Sequence, residues 1–320
     1  MTGFCSLIRI SRPADTRRVF PAGTGKSGSK RHKALGTTKK KWYNIIFYKQ
    51  ISCLKEKRIM FEESTEVVFN KRVARNTFFM GFRSGPMADA SKPGQFVMMR
   101  VRSGIDPLLR RPFSICGVNG DVLLILYRVV GRGTAILSEK RMGDHLSVLG
   151  PLGKGFEPPG ESVRPVLVAG GMGIAPLIFL SLNLGRKNQY FLAGYGISSE
   201  VVPLDQLGIV GLAPAIATED GSQGHHGRVT KLLESVLSTM KEKPSAIFTC
   251  GPLLMLKAVA QIAIGQNIPC QVSLESNMAC GVGACQGCAV KKVPDSNKPY
   301  AHVCQDGPVF DAKTLDWEVI

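Results

Sequence analysis

Four cysteines crowd the end of this 320-residue chain: Cys280, Cys285 and Cys288 follow C-x4-C-x2-C, and Cys304 arrives after fifteen more residues. Thiolates are soft ligands that hold iron through a one-electron change. A short triplet with a distant fourth cysteine is the ligand pattern of a plant-type [2Fe–2S] cluster. The glycines of ACGVGACQGCAV suit a loop that wraps sulfur closely and turns amide N–H groups toward it, which raises the reduction potential of an anionic cluster. Zinc is the competing occupant, yet zinc sites usually present two close cysteine pairs. Here only Cys285 and Cys288 form one. His302 reads as a packing or outer group rather than a ligand, and the five dispersed cysteines read mainly as small core residues.

Two further groups of residues have types suited to nucleotide cofactors. Arg111-Pro112-Phe113-Ser114 offers a guanidinium for phosphate oxygens and a hydroxyl for a flavin ring nitrogen; a surface arginine beside a strand-edge proline is the plainer reading. Tyr127-Arg128 ends a β run, and Gly131-Arg132-Gly133-Thr134 opens a helix, where backbone N–H groups bind phosphate readily. Gly170-Gly171-Met172-Gly173 lies between a buried strand and a helix, but Ala175 and Pro176 depart from the full dinucleotide fingerprint. Thr249-Cys250-Gly251-Pro252 repeats the strand-to-helix context, so the Cys250 thiol and Gly251 backbone are candidates to face a nicotinamide, with Pro252 at the helix start. Thr218-Glu219-Asp220-Gly221 places carboxylates near a possible ribose, or forms a solvated turn. His225 and His226 read as solvated loop, and Gly150–Phe156 as either a cofactor approach or an interdomain turn.

The elements that must position these groups change period along the chain. From Glu66 to Leu149, short runs such as EVVFNKRV, GQFVMMRV and DVLLILYRVV alternate with turn signals, Lys92-Pro93-Gly94 and Val118-Asn119-Gly120-Asp121 among them. Many short strands with one helix, starting at Thr134, predict a small closed barrel. Beyond residue 163, RPVLVAG, QYFLAGY, SAIFTCG and IPCQVSLE read as strands between the helices GMGIAPLIFLSLNLG, VTKLLESVLSTMKEK and GPLLMLKAVAQIAIG. That alternation predicts a doubly wound α/β parallel sheet covered on both faces. The expected division is a leader over 1–60, a barrel over 61–160, an α/β domain over 161–265 and a cysteine module over 266–320.

Charge separates the leader from the rest. The formal net charge of +17 suggests nucleic acid or an anionic surface. Residues 1–60, however, carry 15 Lys/Arg against two acids, while residues 61–320 carry 26 against 22. Basicity confined to the leader argues against a folded nucleic-acid-binding surface. The leader's GTGKS lacks the first glycine of a phosphate loop, because Phe20 stands there. A targeting presequence, a basic arm and sequence upstream of the true start compete for this segment, and a start at Met60 is the favoured reading. No run of eighteen uncharged apolar residues is present, so no transmembrane helix is expected.

Taken in order, the barrel, RPFS, YRVVGRGT, GPLGKGF, VAGGMGIAPL, TCGP and C-x4-C-x2-C-x15-C resemble the electron-transfer subunits of type B dihydroorotate dehydrogenase, within the ferredoxin–NADP reductase superfamily. The resemblance covers residues 62–320 and is most specific at SLESNMACGVGACQGCAV. It implies a ferredoxin reductase-like fold with one FAD and one [2Fe–2S] cluster per subunit, and NAD+ as electron acceptor. Arg111, Pro112, Phe113 and Ser114, then Leu126, Tyr127, Arg128, Gly133 and Thr134, look like the FAD site. Gly171, Gly173, Cys250 and Gly251 are expected on the nicotinamide side, with Ser114 and Cys250 closest to the chemistry, and Cys280, Cys285, Cys288 and Cys304 hold the cluster. The implied partner is an FMN-bearing catalytic subunit in a cytoplasmic 2+2 heterotetramer of pyrimidine biosynthesis. The alternative is the flavin/[2Fe–2S] subunit of a related NAD(P)H:ferredoxin oxidoreductase or sulfhydrogenase.

Overall fold

The structure, a computed structural model, describes residues 60–158, 164–185, 189–294 and 298–320. The leader and its GTGKS lie outside the described residues. Strands β1 (Phe61–Ala74), β2 (Thr77–Arg83), β3 (Phe96–Arg100), β4 (Arg111–Asn119), β5 (Val122–Arg128) and β6 (His145–Leu152) close into a barrel in the order β1-β2-β5-β4-β3-β6. Closure follows from alternation: along β6, Leu146 and Val148 point inward while His145 and Ser147 do not. Val67, Met80, Phe82, Val97, Met99 and Ile125 fill the interior, each such burial contributing about 1.5–3 kcal/mol. Gly120, at φ +60°, and Asp121 make the tight β4–β5 turn that Asn119-Gly120 predicts.

Two short helices decorate the barrel. Helix α1 (Gly85–Ala90) has no counterpart in the sequence reading; the Ser84 hydroxyl caps it by accepting the Met87 N–H at 3.3 Å. Helix α2 (Arg132–Ser138) begins two residues earlier than expected, because Thr134 folds back over its own first turn.

The second half forms a sheet of β7 (Val166–Gly170), β8 (Tyr190–Tyr195), β9 (Ala215–Thr218), β10 (His225–His226), β11 (Ile247–Cys250), β12 (Cys270–Ser273) and β15 (Val309–Asp311). Their order is β10-β9-β8-β7-β11-β12-β15, parallel except for β15. Helices α3 (Ile174–Asn183), α4 (Val229–Thr239) and α5 (Leu253–Gly265) cover both faces. Val166 and Val168 pack in the core that holds Leu233 and Val259, whereas Leu167, Ala169, Phe248 and Cys250 pack with α3 and with barrel residues Phe79 and Leu126. His225 and His226 differ from the loop reading: they pair with Ala217 and Thr218 as an edge strand. Segment 266–320 supplies both β12 and β15 to this sheet, and between them the hairpin β13 (Ala289–Lys291) and β14 (Tyr300–His302). Among the described residues no helix is long and apolar enough to cross a membrane.

Candidate functional site

The β13–β14 hairpin sets half of the cysteine arrangement. Ala289 pairs with His302, and Val303 N–H donates to the Cys288 carbonyl at 3.0 Å, so Cys288 and Cys304 meet with their Sγ atoms 3.3 Å apart, both buried. Cys280 and the exposed Cys285 form the outer pair on the loop between β12 and β13. Backbone amides converge on the sulfurs. Gly283 N–H donates to Cys304 Sγ at 3.1 Å, those of Val282 and Cys285 to Cys280 Sγ at 3.5 and 3.4 Å, and that of Cys304 to Cys288 Sγ at 3.5 Å.

These amides settle the electrostatics. Burial would raise the Cys280 thiol, but the donors overcome it and hold Cys280 at about 6. Cys304 is pushed up to about 12 by burial and by the neighbouring Cys288. Two buried sulfurs in contact cannot both be anionic without cations between them, and bound metal ions reverse that balance. Among the described residues, no three His, Cys, Asp or Glu side chains converge on a single ion position. Two pairs of thiolates suit two irons with two ligands each. The donor set and its amides therefore fit a binuclear cluster.

A cavity of about 580 Å³ lies between the barrel and the sheet. Arg111, Pro112, Phe113 and Ser114 of β4 line it together with Leu126, Tyr127 and Arg128 of β5 and Thr134 of α2. Antiparallel pairing brings β4 beside β5, which gathers two tetrapeptide-scale motifs onto one wall. The Arg128 guanidinium meets Glu200 through Nη1 at 3.3 Å, while its buried Nε and Nη2 have no partner among the described residues. Unpaired buried donors cost about 1–3 kcal/mol each, so this arginine is set for an anion. Gly133 lets the Arg111 guanidinium lie where a Cβ would collide with it. The Ser114 hydroxyl makes no hydrogen bond among the described residues.

Two lining residues behave differently from the expectation. Tyr127 donates its hydroxyl to Asn70 Oδ1 at 3.0 Å, inside the barrel, and burial raises its pKa. Only its ring, stacked on Phe78 with centroids 5.6 Å apart, serves the wall. Thr134 Oγ1 accepts from Val130 and Gly131 N–H at 2.9 and 3.2 Å, so it caps α2 and those amides are already used. The mostly apolar wall with few convergent polar groups still fits a flat aromatic ring with an anionic tail.

Gly171, Gly173, Cys250 and Gly251 come together behind this wall rather than on it. Gly171, at φ +50°, and Gly173 form a single 3-10 turn after β7, and Gly173 packs directly on the Cys250 carbonyl. Cys250 is 1% exposed; burial raises its thiol pKa, with the charge of Glu275 adding to the rise. The thiol is thus covered, and of the 170–173 turn only Met172 reaches the cavity. Asp220, held below the usual carboxylate range by the Ser222 hydroxyl and N–H, ties the loop after β9 to that after β8 through Ser222 and Ser198. The Gly150–Phe156 segment packs against the chain end, with Lys154 N–H on the Gly307 carbonyl at 2.6 Å; apart from Pro308 beside it, this contact stays off the cavity.

Sequence reasoning missed the opposite wall: Met172, Ala175 and the run Ser273–Met278 that follows β12. A signal existed, since ligands in open parallel sheets sit beyond the carboxyl ends of strands, and SLESNM occupies that position after IPCQV.

Comparisons with known proteins bear on this arrangement. Residues 275–316 match the family described as the iron-sulfur cluster binding domain of dihydroorotate dehydrogenase B. A protein of Caldanaerobacter subterraneus subsp. tengcongensis named dihydroorotate dehydrogenase B (NAD(+)), electron transfer subunit, is 38% identical over 250 residues, spanning 78% of this chain and 96% of that protein. Its namesake in Geobacillus thermodenitrificans is 38% identical over 257 residues, with 78% and 96% covered. Among solved structures, an NADH-dependent reduced ferredoxin-NADP oxidoreductase superposes with a TM-score of 0.70 at 26% identity, over 80% of this chain and 91% of that one. A ferredoxin NADP+ reductase from Neisseria gonorrhoeae, with bound FAD and NADP, shares the fold at a TM-score of 0.54 and 19% identity, over 64% and 91% of the two chains.

Proposed function

The chain belongs to the family of electron-transfer subunits of NAD(+)-type dihydroorotate dehydrogenase B, and from that premise we propose that it conducts electrons from a partner catalytic subunit to NAD+. One observation carries the route: the cavity wall Ser273–Met278 runs directly into the cysteine loop, with Met278 two residues before Cys280. A flavin in the cavity and a cluster in the loop are then held by one continuous segment. FAD, when bound, converts single electrons from the cluster into the paired electrons of a hydride.

The residues of the chain divide that work. Arg128 and Arg111 take the anionic part of FAD, Ser114 presents its hydroxyl to the ring, and Leu126, Tyr127 and Phe113 exclude water around it. Gly133 and Thr134 keep the α2 turn close to Arg111. Gly171, Gly173, Cys250 and Gly251 back the wall on which Met172 meets the nicotinamide. Cys280, Cys285, Cys288 and Cys304 hold the [2Fe–2S] cluster. Residues 61–160 serve FAD, 161–265 NAD+ and 266–320 the cluster. The partner carries FMN and oxidises dihydroorotate, in a cytoplasmic 2+2 heterotetramer. A ferredoxin oxidoreductase or sulfhydrogenase subunit is the less favoured reading, because the 38% identity to the dihydroorotate dehydrogenase subunits exceeds the 26% to the oxidoreductase structure.

Co-expression with an FMN-type dihydroorotate dehydrogenase subunit tests this reading. Dihydroorotate-dependent NAD+ reduction is expected in the complex and not with either chain alone. A complex loaded with FAD and [2Fe–2S] that fails to couple the two reactions would overturn it.

A further inference from the structure

Arg128 ties the barrel to the sheet. From β5 it lines the cavity, while its Nη1 meets Glu200 Oε1 at 3.3 Å, and Glu200 stands behind it, off the cavity wall. The pairing is partial. A guanidinium and a carboxylate at their best share two parallel hydrogen bonds. Here Nε and Nη2, the donors of one guanidinium edge, are buried without a partner among the described residues. The two side chains are 26% and 25% exposed, so water and ions reach the pair and another anion can compete for it. Burial pushes the Tyr195 hydroxyl up to about 12, against the pull of the Val202 backbone and of the Arg128 charge. The guanidinium therefore lies beside the carboxyl end of β8, where ligands of open parallel sheets sit. Glu200 is fixed from below. It closes a 3-10 turn, Ser198–Glu200, whose Ser199 carbonyl accepts the Arg75 N–H of the barrel at 2.9 Å and whose Ser198 N–H donates to Ser222 Oγ at 2.8 Å.

We propose that Glu200 is a resident counter-anion for Arg128, displaced when the pyrophosphate of a bound dinucleotide takes the free edge of the guanidinium. This deepens the proposed function and rests on its reading of Arg128 as an anion receptor. The pinned turn keeps Glu200 from following, so the ion pair breaks as Arg128 swings into the cavity. The swing brings Nε and Nη2 out of burial and gives them the oxygens they lack, in the two-pronged geometry that suits a phosphate. FAD and NAD+ carry the same pyrophosphate, and the guanidinium fork accepts either. Because Glu200 must first be displaced, binding stays weaker than a free arginine would make it. For a nucleotide that leaves after each turnover, such a brake on affinity helps release.

Glu200→Gln keeps an oxygen for Nη1 and removes the charge, and two titrations read the consequence. FAD is added to the flavin-free protein and followed by flavin fluorescence; NAD+ is added to the flavin-loaded protein and followed by calorimetry. Glu200→Gln should tighten one of them by about 3–5-fold, the range of a partly exposed ion pair, and the titration that responds identifies the dinucleotide. The gain should vanish in the Arg128→Leu background, because a residue that acts through the arginine then has nothing to release. A merely structural role would lower unfolding stability in both backgrounds and tighten neither titration. Glu200→Asp, one methylene shorter, draws the carboxylate away from Arg128 and should give a smaller gain in the same titration; it decides the matter if the glutamine variant does not fold. Unchanged or weaker binding of both dinucleotides, or a gain that survives in Arg128→Leu, would overturn the proposal. A wild-type chain that bound neither dinucleotide would refute the cavity reading itself, and the proposal with it.

Discussion

The cysteine loop and the cavity are built by opposite strategies. Residues 280–304 supply all four thiols from one loop and one hairpin, and backbone amides of the same stretch tune them. The cavity wall instead draws on Phe96 at one extreme and Pro308 at the other, so it exists only once barrel and sheet have closed on each other. A locally encoded site should fail in an all-or-none way when one ligand goes, leaving its neighbour intact. A site assembled by the whole fold should fail by degrees.

The largest effect separates the two regions outright. Cys288 is buried against Cys304, and a serine hydroxyl cannot replace its soft sulfur at iron. Cys288→Ser should abolish the visible absorption and the reduced-state EPR signal of the cluster while FAD stays bound at near-normal stoichiometry. Loss of both cofactors together would show that the two regions fold as one unit and would break the comparison.

Next comes the turn behind the cavity. A Cβ on Gly173 would fall on the Cys250 carbonyl and come within 2.6 Å of the Gly251 nitrogen. Both obstacles are backbone, so no rotamer change relieves them. Gly173→Ala should destabilise the protein by about 3 kcal/mol, the upper range for overpacking, measured by urea unfolding. NAD+ reduction should drop further than cluster content does.

Why one region was legible in the sequence and the other only partly follows from the same contrast. The cysteine spacing is itself the geometry of the loop, and the barrel strands betray themselves by alternation. In β7 and β11 both faces are buried, so alternation disappears. Nothing in SAIFTCG tells which way Cys250 points or what covers it; packing between α3 and the barrel decides that. Tyr127 could be placed on the wall by its neighbours, but its hydroxyl turns inward because Asn70, 57 residues away, waits there. Glu275 and Met172 reach the cavity through a long-range closure that local pattern does not encode. The chain-end strand β15 runs antiparallel to β12 for the same reason.

A smaller, graded effect is expected at Arg128. Two of its nitrogens are buried without a partner among the described residues, and hydrogen bonds to charged groups contribute about 1.5–3 kcal/mol. Arg128→Leu should therefore weaken FAD binding by about 10–100-fold, read from flavin fluorescence during titration of the apoprotein, with cluster content unchanged. An unchanged affinity would remove Arg128 from the flavin site and leave its buried donors unexplained.

The smallest effect probes how much local adjustment the cysteine loop has. Gly281 sits at φ +74°, and a Cβ there would come within 2.6 Å of Met98 Cγ and 3.2 Å of Leu152 Cδ1. The left-handed conformation costs a non-glycine residue about 1–2 kcal/mol, but a methionine side chain is unbranched and moves easily. Gly281→Ala should thus lower stability by no more than that backbone cost, and the cluster should still assemble, lost at a lower temperature than in the wild type. This glycine has the strained φ while Gly173 does not, yet Gly173 should be the costlier position, because its obstacle is a carbonyl and that of Gly281 is a flexible side chain. If Gly281→Ala abolished the cluster as Cys288→Ser does, the loop would have to be as rigidly determined as the turn behind the cavity, and its local encoding would confer no tolerance at all.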